Sequence, residues 1–138
     1  MIIGIGTDII EIERIEKAIL KTNTFLDKIY TIREQAYYRE NYKRVETLAG
    51  LFAAKEAISK ALGTGFRGFG ASDIEIVPNK LGKPEAYLYG EAKTRANSLG
   101  ILKIHVTISH SRTYATAFAI AEGGINHEVT ITPSNAGD

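Results

Sequence analysis

The chain contains no cysteine. That excludes a disulfide framework and every mechanism that needs a thiolate nucleophile or thiolate metal ligand, and it fits a reducing compartment. No apolar run approaches the ~20 residues that span a bilayer, so no membrane partner is expected. The opening MIIGIGTDII has no basic segment before its apolar residues and meets charge at Asp8. A secretory leader is therefore not expected, and a cytoplasmic location is. An excess of one charge is missing too: 17 Lys and Arg against 16 Asp and Glu leave a formal net charge of +1. No large basic surface interleaved with aromatics is present to favour nucleic acid, and an acidic partner would have to be drawn by a local patch. Two phosphate motifs are also lacking. GTGFRGFG is not followed by Gly-Lys-Ser/Thr, so it is no Walker loop, and GIGTDI lacks the third glycine of a dinucleotide fingerprint.

What is present is an ordinary globular composition: 138 residues, 44% hydrophobic and 24% charged, enough for one domain with a real core. MIIGIGTD reads as a short buried strand with Gly4, Gly6 and Asp8 on one face, the glycines leaving room for a close neighbour. Ile12, Ile15 and Ile19 mark a helix from about Glu11 to Thr22. Thr31 to Glu34 is a capping-box signature opening a second helix. A third runs from about Val45 to Leu62, with a core stripe of Leu51, Ala54, Ile58 and Leu62. Strands are expected at Asp73–Val77 and Glu85–Tyr89 about the turn-rich PNKLGKP, then a short helix over GEAKTRANSLG. ILKIHVTIS and TYATAFAIA alternate cleanly as antiparallel partners, with Ile104, Val106 and Ile108 inward and His105, Thr107 and Ser109 outward. The expected fold is α+β, helices packed on a mainly antiparallel sheet. A last short strand is expected in GGINHEVTIT and a frayed end in PSNAGD.

Several groups bear chemistry, each with a plainer structural alternative. Glu56 and Lys60 are four apart on one helix face, which alone reads as a surface ion pair. The crowd of Ala49, Gly50, Ala53 and Ala57 around them instead suggests close packing against backbone or another chain. The glycine loop with Arg67 is either a connector or a nest of backbone N–H groups for an anion. Asp8 and Glu11 have the D-x-x-E spacing of a capping box. Alternatively, Asp8 is a hard-metal ligand, which needs a second carboxylate, and Glu56 is the candidate. His105 and His110 make a poor zinc pair, since they fall on opposite strand faces. Arg14, Lys17 and Lys21 share one face of the first helix: a solvated face, or a dock for an acidic protein helix.

These motifs together resemble the holo-[acyl-carrier-protein] synthase family, the small trimeric bacterial 4′-phosphopantetheinyl transferases. GIGTDI resembles the family's opening G-x-G-x-D-[IV] motif. FAAKEAISKALGTG resembles its F-[AS]-x-K-E-[AS]-x-x-K motif with the glycine loop, and NKLGKP and HVTISHS resemble later stretches. The likeness runs from Met1 to about Ala121, giving an expected transferase domain over 1–122 with an extension over 123–138. The resemblance implies the 4′-phosphopantetheinyl transferase fold, and movement of phosphopantetheine from coenzyme A to a serine of apo acyl carrier protein. It implies Mg²⁺ held by Asp8 and Glu56, catalytic roles for Glu56 and Lys60, a homotrimer with sites between subunits, and no nucleic acid or membrane. Coenzyme A would meet Lys60, Gly65, Arg67, His105, Ser109 and Arg44. Arg14, Lys17 and Lys21 would dock the acidic carrier. The proton acceptor stays open between Glu56 and a water on the metal. One departure is Leu51, where many relatives carry arginine, so that Arg44 or Arg67 must substitute. The competing class is a non-catalytic binder of coenzyme A or carrier protein. Retention of Asp8, Glu56 and Lys60 together speaks against it, since a binder has no need of a metal arm.

Overall fold

A computed structural model of the chain describes residues 1–124. The elements run β1 (Ile2–Glu11), α1 (Ile12–Lys21), α2 (Phe25–Ile29), α3 (Ile32–Glu40), α4 (Val45–Ala61) and a 3₁₀ turn (Ala71–Asp73). They continue with β2 (Ile74–Pro78), β3 (Pro84–Leu88), α5 (Gly90–Ser98), β4 (Ile101–His110) and β5 (Tyr114–Gly123). Two antiparallel sheets result, β1-β5-β4 and β2-β3, so the expected α+β class holds. The expected extension begins inside β5 at Gly123; the strand and frayed end expected from residue 125 onward lie outside the described residues.

The core sits where α4 crosses the inner face of the larger sheet. Alternation in β5 turns Ala115, Ala117, Ala119 and Ala121 inward, all buried, against Ala53, Ala54, Ala57 and Ile58 of α4. Small side chains on both surfaces bring helix and sheet close together, so their apolar atoms leave water. Ala49, Ala53 and Ala57 are therefore filled by the chain's own sheet rather than by a neighbouring chain. β1 completes the arrangement with its glycines. A Cβ at Gly4 would lie 2.0 Å from the Ala61 carbonyl oxygen, and one at Gly6 1.9 Å from that of Ala57. Only glycine permits that approach.

β1 is longer than the sequence pattern suggests, and only half buried. It pairs with β5 as far as Glu11 opposite Tyr114, while Ile5 and Ile9 on its outer face are 60% and 62% exposed. This pairing overrules the expected Asp8 capping box. Asp8 stays in the ladder opposite Ala117, and Glu11 takes the N-cap position of α1 with no side-chain cap. The Thr31 capping box does form: Thr31 N donates to Glu34 Oε1 at 2.9 Å and Glu34 N to Thr31 Oγ1 at 3.3 Å.

Candidate active site

The glycine face of β1 determines where Asp8 points. Asp8 follows Gly6 by two residues, so its side chain leaves the same face of the strand, toward α4. Lys60, near the end of α4, reaches back: its Nζ donates to Asp8 Oδ1 at 3.2 Å and to the Thr7 carbonyl at 3.0 Å. The Asp8 side chain is 17% exposed and that of Lys60 50%, so the pair sits at the lip of the helix–strand seam. Lys60 thus pairs with Asp8 and not with Glu56, correcting the surface pair expected from the four-residue spacing. Among the described residues Glu56 has no cationic partner within ion-pair distance.

Glu56 is half-buried on the same side of α4. Burial raises its proton affinity above the ordinary carboxylate range; the charge of Asp8 raises it further, and Lys60 opposes both. Two carboxylates that repel each other across a partly desolvated seam form a hard, oxygen-only donor set. Among the described residues no larger cluster of His, Cys, Asp or Glu gathers. This fits Mg²⁺, which is usually held by one or two carboxylates with substrate phosphates completing its shell.

The glycine loop begins beside this pair. Gly63 (φ 86°) and Gly65 (φ 63°) take left-handed backbone conformations, and their N–H groups donate to the carbonyls of Lys60 and Ser59 at 2.9 and 3.1 Å. Those donors close the end of α4, a Gly-dependent termination, and so do not form an open anion nest. What Gly65 offers is clearance, since a Cβ there would meet nothing within 4 Å.

The other expected contacts fall on separate surfaces of one protomer. Arg44 lines a cleft of about 410 Å³ with Leu51, Thr107, Ile108 and His110. Arg67 lies in another, of about 280 Å³, with Glu91, Thr94, Arg95 and Ser98. The chain therefore places Arg44, and not Arg67, beside Leu51. His105 borders a third cleft, of about 420 Å³, with Lys83, Lys93 and Lys103, and its Nε2 lies 2.7 Å from Glu122 Oε1. Ser109 is exposed on β4 opposite Thr116. On α1, Arg14, Lys17 and Lys21 are all exposed; Lys17 pairs with Glu13 of its own helix at 2.7 Å.

The family model of the 4′-phosphopantetheinyl transferase superfamily matches residues 4–119. The chain belongs to this superfamily. A holo-[acyl-carrier-protein] synthase from Clostridium novyi is 54% identical over 122 residues, covering 88% of each chain. The crystal structure of a holo-ACP synthase from Plasmodium yoelii superposes with a TM-score of 0.82 at 40% identity, covering 91% of this chain and 98% of that one. A Helicobacter pylori holo-[acyl-carrier-protein] synthase in complex with coenzyme A gives 0.75 at 30% identity, covering 86% and 99%.

Within this transferase, sequence reasoning missed one group, a charge pair in the core. Lys55 and Glu34 are wholly buried and 2.8 Å apart. Burial pushes Glu34 up and Lys55 down; each opposes the other's shift. The signal was legible: Lys55 stands four residues from Leu51, three from Ile58 and seven from Leu62, all buried, and so belongs to the inward stripe. Its partner across 21 positions was not legible. Nearby, Glu75 accepts from Arg33 Nη2 at 2.6 Å and from the hydroxyls of Thr31 and Tyr89, another set of contacts invisible to spacing.

Proposed function

We propose that this chain transfers 4′-phosphopantetheine from coenzyme A to a serine of apo acyl carrier protein, releasing adenosine 3′,5′-bisphosphate, in the cytoplasm and in support of fatty acid synthesis. The observation that carries the reading is the meeting of Asp8, Glu56 and Lys60 at one seam, an anionic arm from β1 with an anionic and a cationic arm from α4, Asp8 and Glu56 lying 48 positions apart in the sequence. The relatives above are named as synthases of holo acyl carrier protein, and one was crystallised with coenzyme A.

Asp8 and Glu56 would hold Mg²⁺, which when bound neutralises charge on the pyrophosphate and polarises the attacked phosphorus. Phosphoryl transfer asks of the protein mainly positioning and charge. Lys60 supplies a cation at the phosphate, free to exchange Asp8 for substrate because its head is half-exposed. The serine oxygen bonds to the phosphorus as the bond to the nucleotide oxygen breaks. Glu56 is the chain's own carboxylate nearest the site to accept the serine proton, and in the metal-free chain burial and the charge of Asp8 raise its proton affinity.

Among the described residues, the expected coenzyme A contacts Arg44, Arg67 and His105 line three different clefts of one protomer. A homotrimer with sites between subunits accounts for this. The outer face of the larger sheet supports it, because Ile5, Ile9, Tyr114 and Phe118 form an open apolar surface there, and such surfaces mark contacts with other chains. The Arg14 and Lys21 face of α1 would receive the acidic carrier. The test is direct: incubate the protein with coenzyme A, Mg²⁺ and apo carrier protein, and weigh the carrier. A mass gain of one phosphopantetheine is expected; an unmodified carrier with tightly bound coenzyme A would mean a binding protein.

A further inference from the structure

Lys55 precedes Glu56 but leaves α4 on its buried side. An ammonium has three donors, and here all three are used: Glu34 Oε1 at 2.8 Å, the Ala71 carbonyl at 2.9 Å and the Ile74 carbonyl. Glu34 in turn accepts from Thr31 N at 2.9 Å and Ile76 N at 2.7 Å. One ion pair therefore joins α4, the first turn of α3, the 3₁₀ turn and β2. A buried pair is weak evidence for stability, since well-packed apolar residues often serve as well. Its place suggests a different task. The side chain of Lys55 fixes the rotational setting of α4, and with it the direction in which Glu56 leaves the helix. A rotation of only 10° carries a side-chain tip, ~5–6 Å from the helix axis, through about 1 Å. Ala71, the second acceptor, closes the far end of the glycine loop whose near end is bonded to Lys60 and Ser59.

We infer that Lys55 and Glu34 are positioning residues for the transfer site, setting the azimuth of Glu56 and the span of the glycine loop from beneath. This rests on the metal-and-transfer reading given above. Displacements of about 1 Å cost on the order of 100-fold in catalysis, so even a small turn of α4 would register at the site.

The test compares the wild-type chain with Glu34→Gln/Lys55→Met, which removes both charges and leaves none orphaned. Melting temperature, kcat and the affinity for Mn²⁺ in the presence of coenzyme A are measured, the last by the electron paramagnetic resonance signal of free Mn²⁺. The expected result is a folded protein with a melting temperature lowered by the unpaired Ala71, Ile74 and Ile76 backbone groups, and with Mn²⁺ affinity and kcat, measured below that temperature, each lowered on the order of 10- to 100-fold. Wild-type Mn²⁺ affinity and kcat in the folded double variant would overturn the inference and leave the pair a packing feature. If the double variant does not fold, Lys55→Met alone carries the test, because it removes all three donors that anchor α4 while Glu34, whose proton affinity burial already raises, can take up a proton and leave no buried charge. Unchanged metal affinity there overturns the inference equally. Glu56→Gln is the control: if it binds Mn²⁺ like wild type, the metal reading itself has failed, a result separate from failure of the positioning role.

Discussion

Gly6→Ala adds one methyl group at the closest approach of β1 to α4. The new Cβ would stand 1.9 Å from the Ala57 carbonyl oxygen and 2.9 Å from the Ala61 nitrogen. Both are backbone atoms of a helix, so no side chain can swing aside. Real Cβ atoms essentially never come under 3.0 Å, so the helix must retreat by at least about 1.1 Å. Overpacking of this kind costs about 1–3 kcal/mol, which for a domain of this size lowers Tm by roughly 3–10 °C. The larger effect falls on chemistry. Asp8 rides on β1 two residues beyond Gly6, while Glu56 and Lys60 flank Ala57 on α4. Moving the two elements apart separates the carboxylates and stretches the 3.2 Å contact between Lys60 and Asp8. A displacement near 1 Å predicts a loss on the order of 100-fold in kcat, read by carrier mass gain below the variant's Tm. Gly70→Ala is the stability control, since its Cβ would meet nothing within 4 Å and its φ is −104°. Wild-type Tm and kcat in Gly6→Ala would refute the reasoning; a lowered Tm with unchanged kcat would refute the link from packing to site.

Glu56 predicts a pH dependence of definite sign. Its proton affinity is raised in the folded chain by burial, then by Asp8, so protons compete with the metal and Mg²⁺ affinity falls with an acid limb above the ordinary glutamate range, readable by titration calorimetry. By linkage, the stability that goes with a raised carboxyl is present below its unfolded pKa and lost as pH rises through the folded one. Metal-free Glu56→Gln should therefore melt above metal-free wild type at neutral pH, with the gap closing toward acid. Arg14→Glu with Lys21→Glu should raise KM for carrier protein by roughly tenfold at low ionic strength, fading with salt, and leave KM for coenzyme A unmoved; an effect on coenzyme A alone would reassign the helix. Light scattering should find a trimer at assay concentration, and Phe118→Glu on the outer sheet face should dissociate it with loss of activity; a stable, active monomer would contradict an intersubunit site.

Local pattern carried the sequence a long way because most elements here are held by local rules. The Ile12, Ile15 and Ile19 stripe, the Thr31 capping box and the alternation of β4 and β5 all formed as read. The paired glycines of β1 correctly announced a close neighbour. The failures have one physical cause, tertiary pairing that local spacing cannot see. Asp8 had capping spacing, but the β1–β5 ladder kept it extended and gave it to Lys60. Glu56 and Lys60 had ion-pair spacing, but the strand offered Lys60 a nearer carboxylate. The alanines of α4 left backbone and a neighbouring chain both open as the close partner, and the chain's own strands β1 and β5 took that place. At the site, the resemblance supplied the roles of Asp8, Glu56 and Lys60, while the buried Lys55–Glu34 pair needed the folded chain.

The most direct test of the account is whether Asp8 and Glu56 act together on one Mg²⁺. Asp8→Ala and Glu56→Ala are assayed separately for phosphopantetheine transfer across a Mg²⁺ series, with circular dichroism to establish folding. The account predicts folded proteins with transfer abolished at low Mg²⁺ in both. Transfer persisting at low Mg²⁺ in both variants would contradict it.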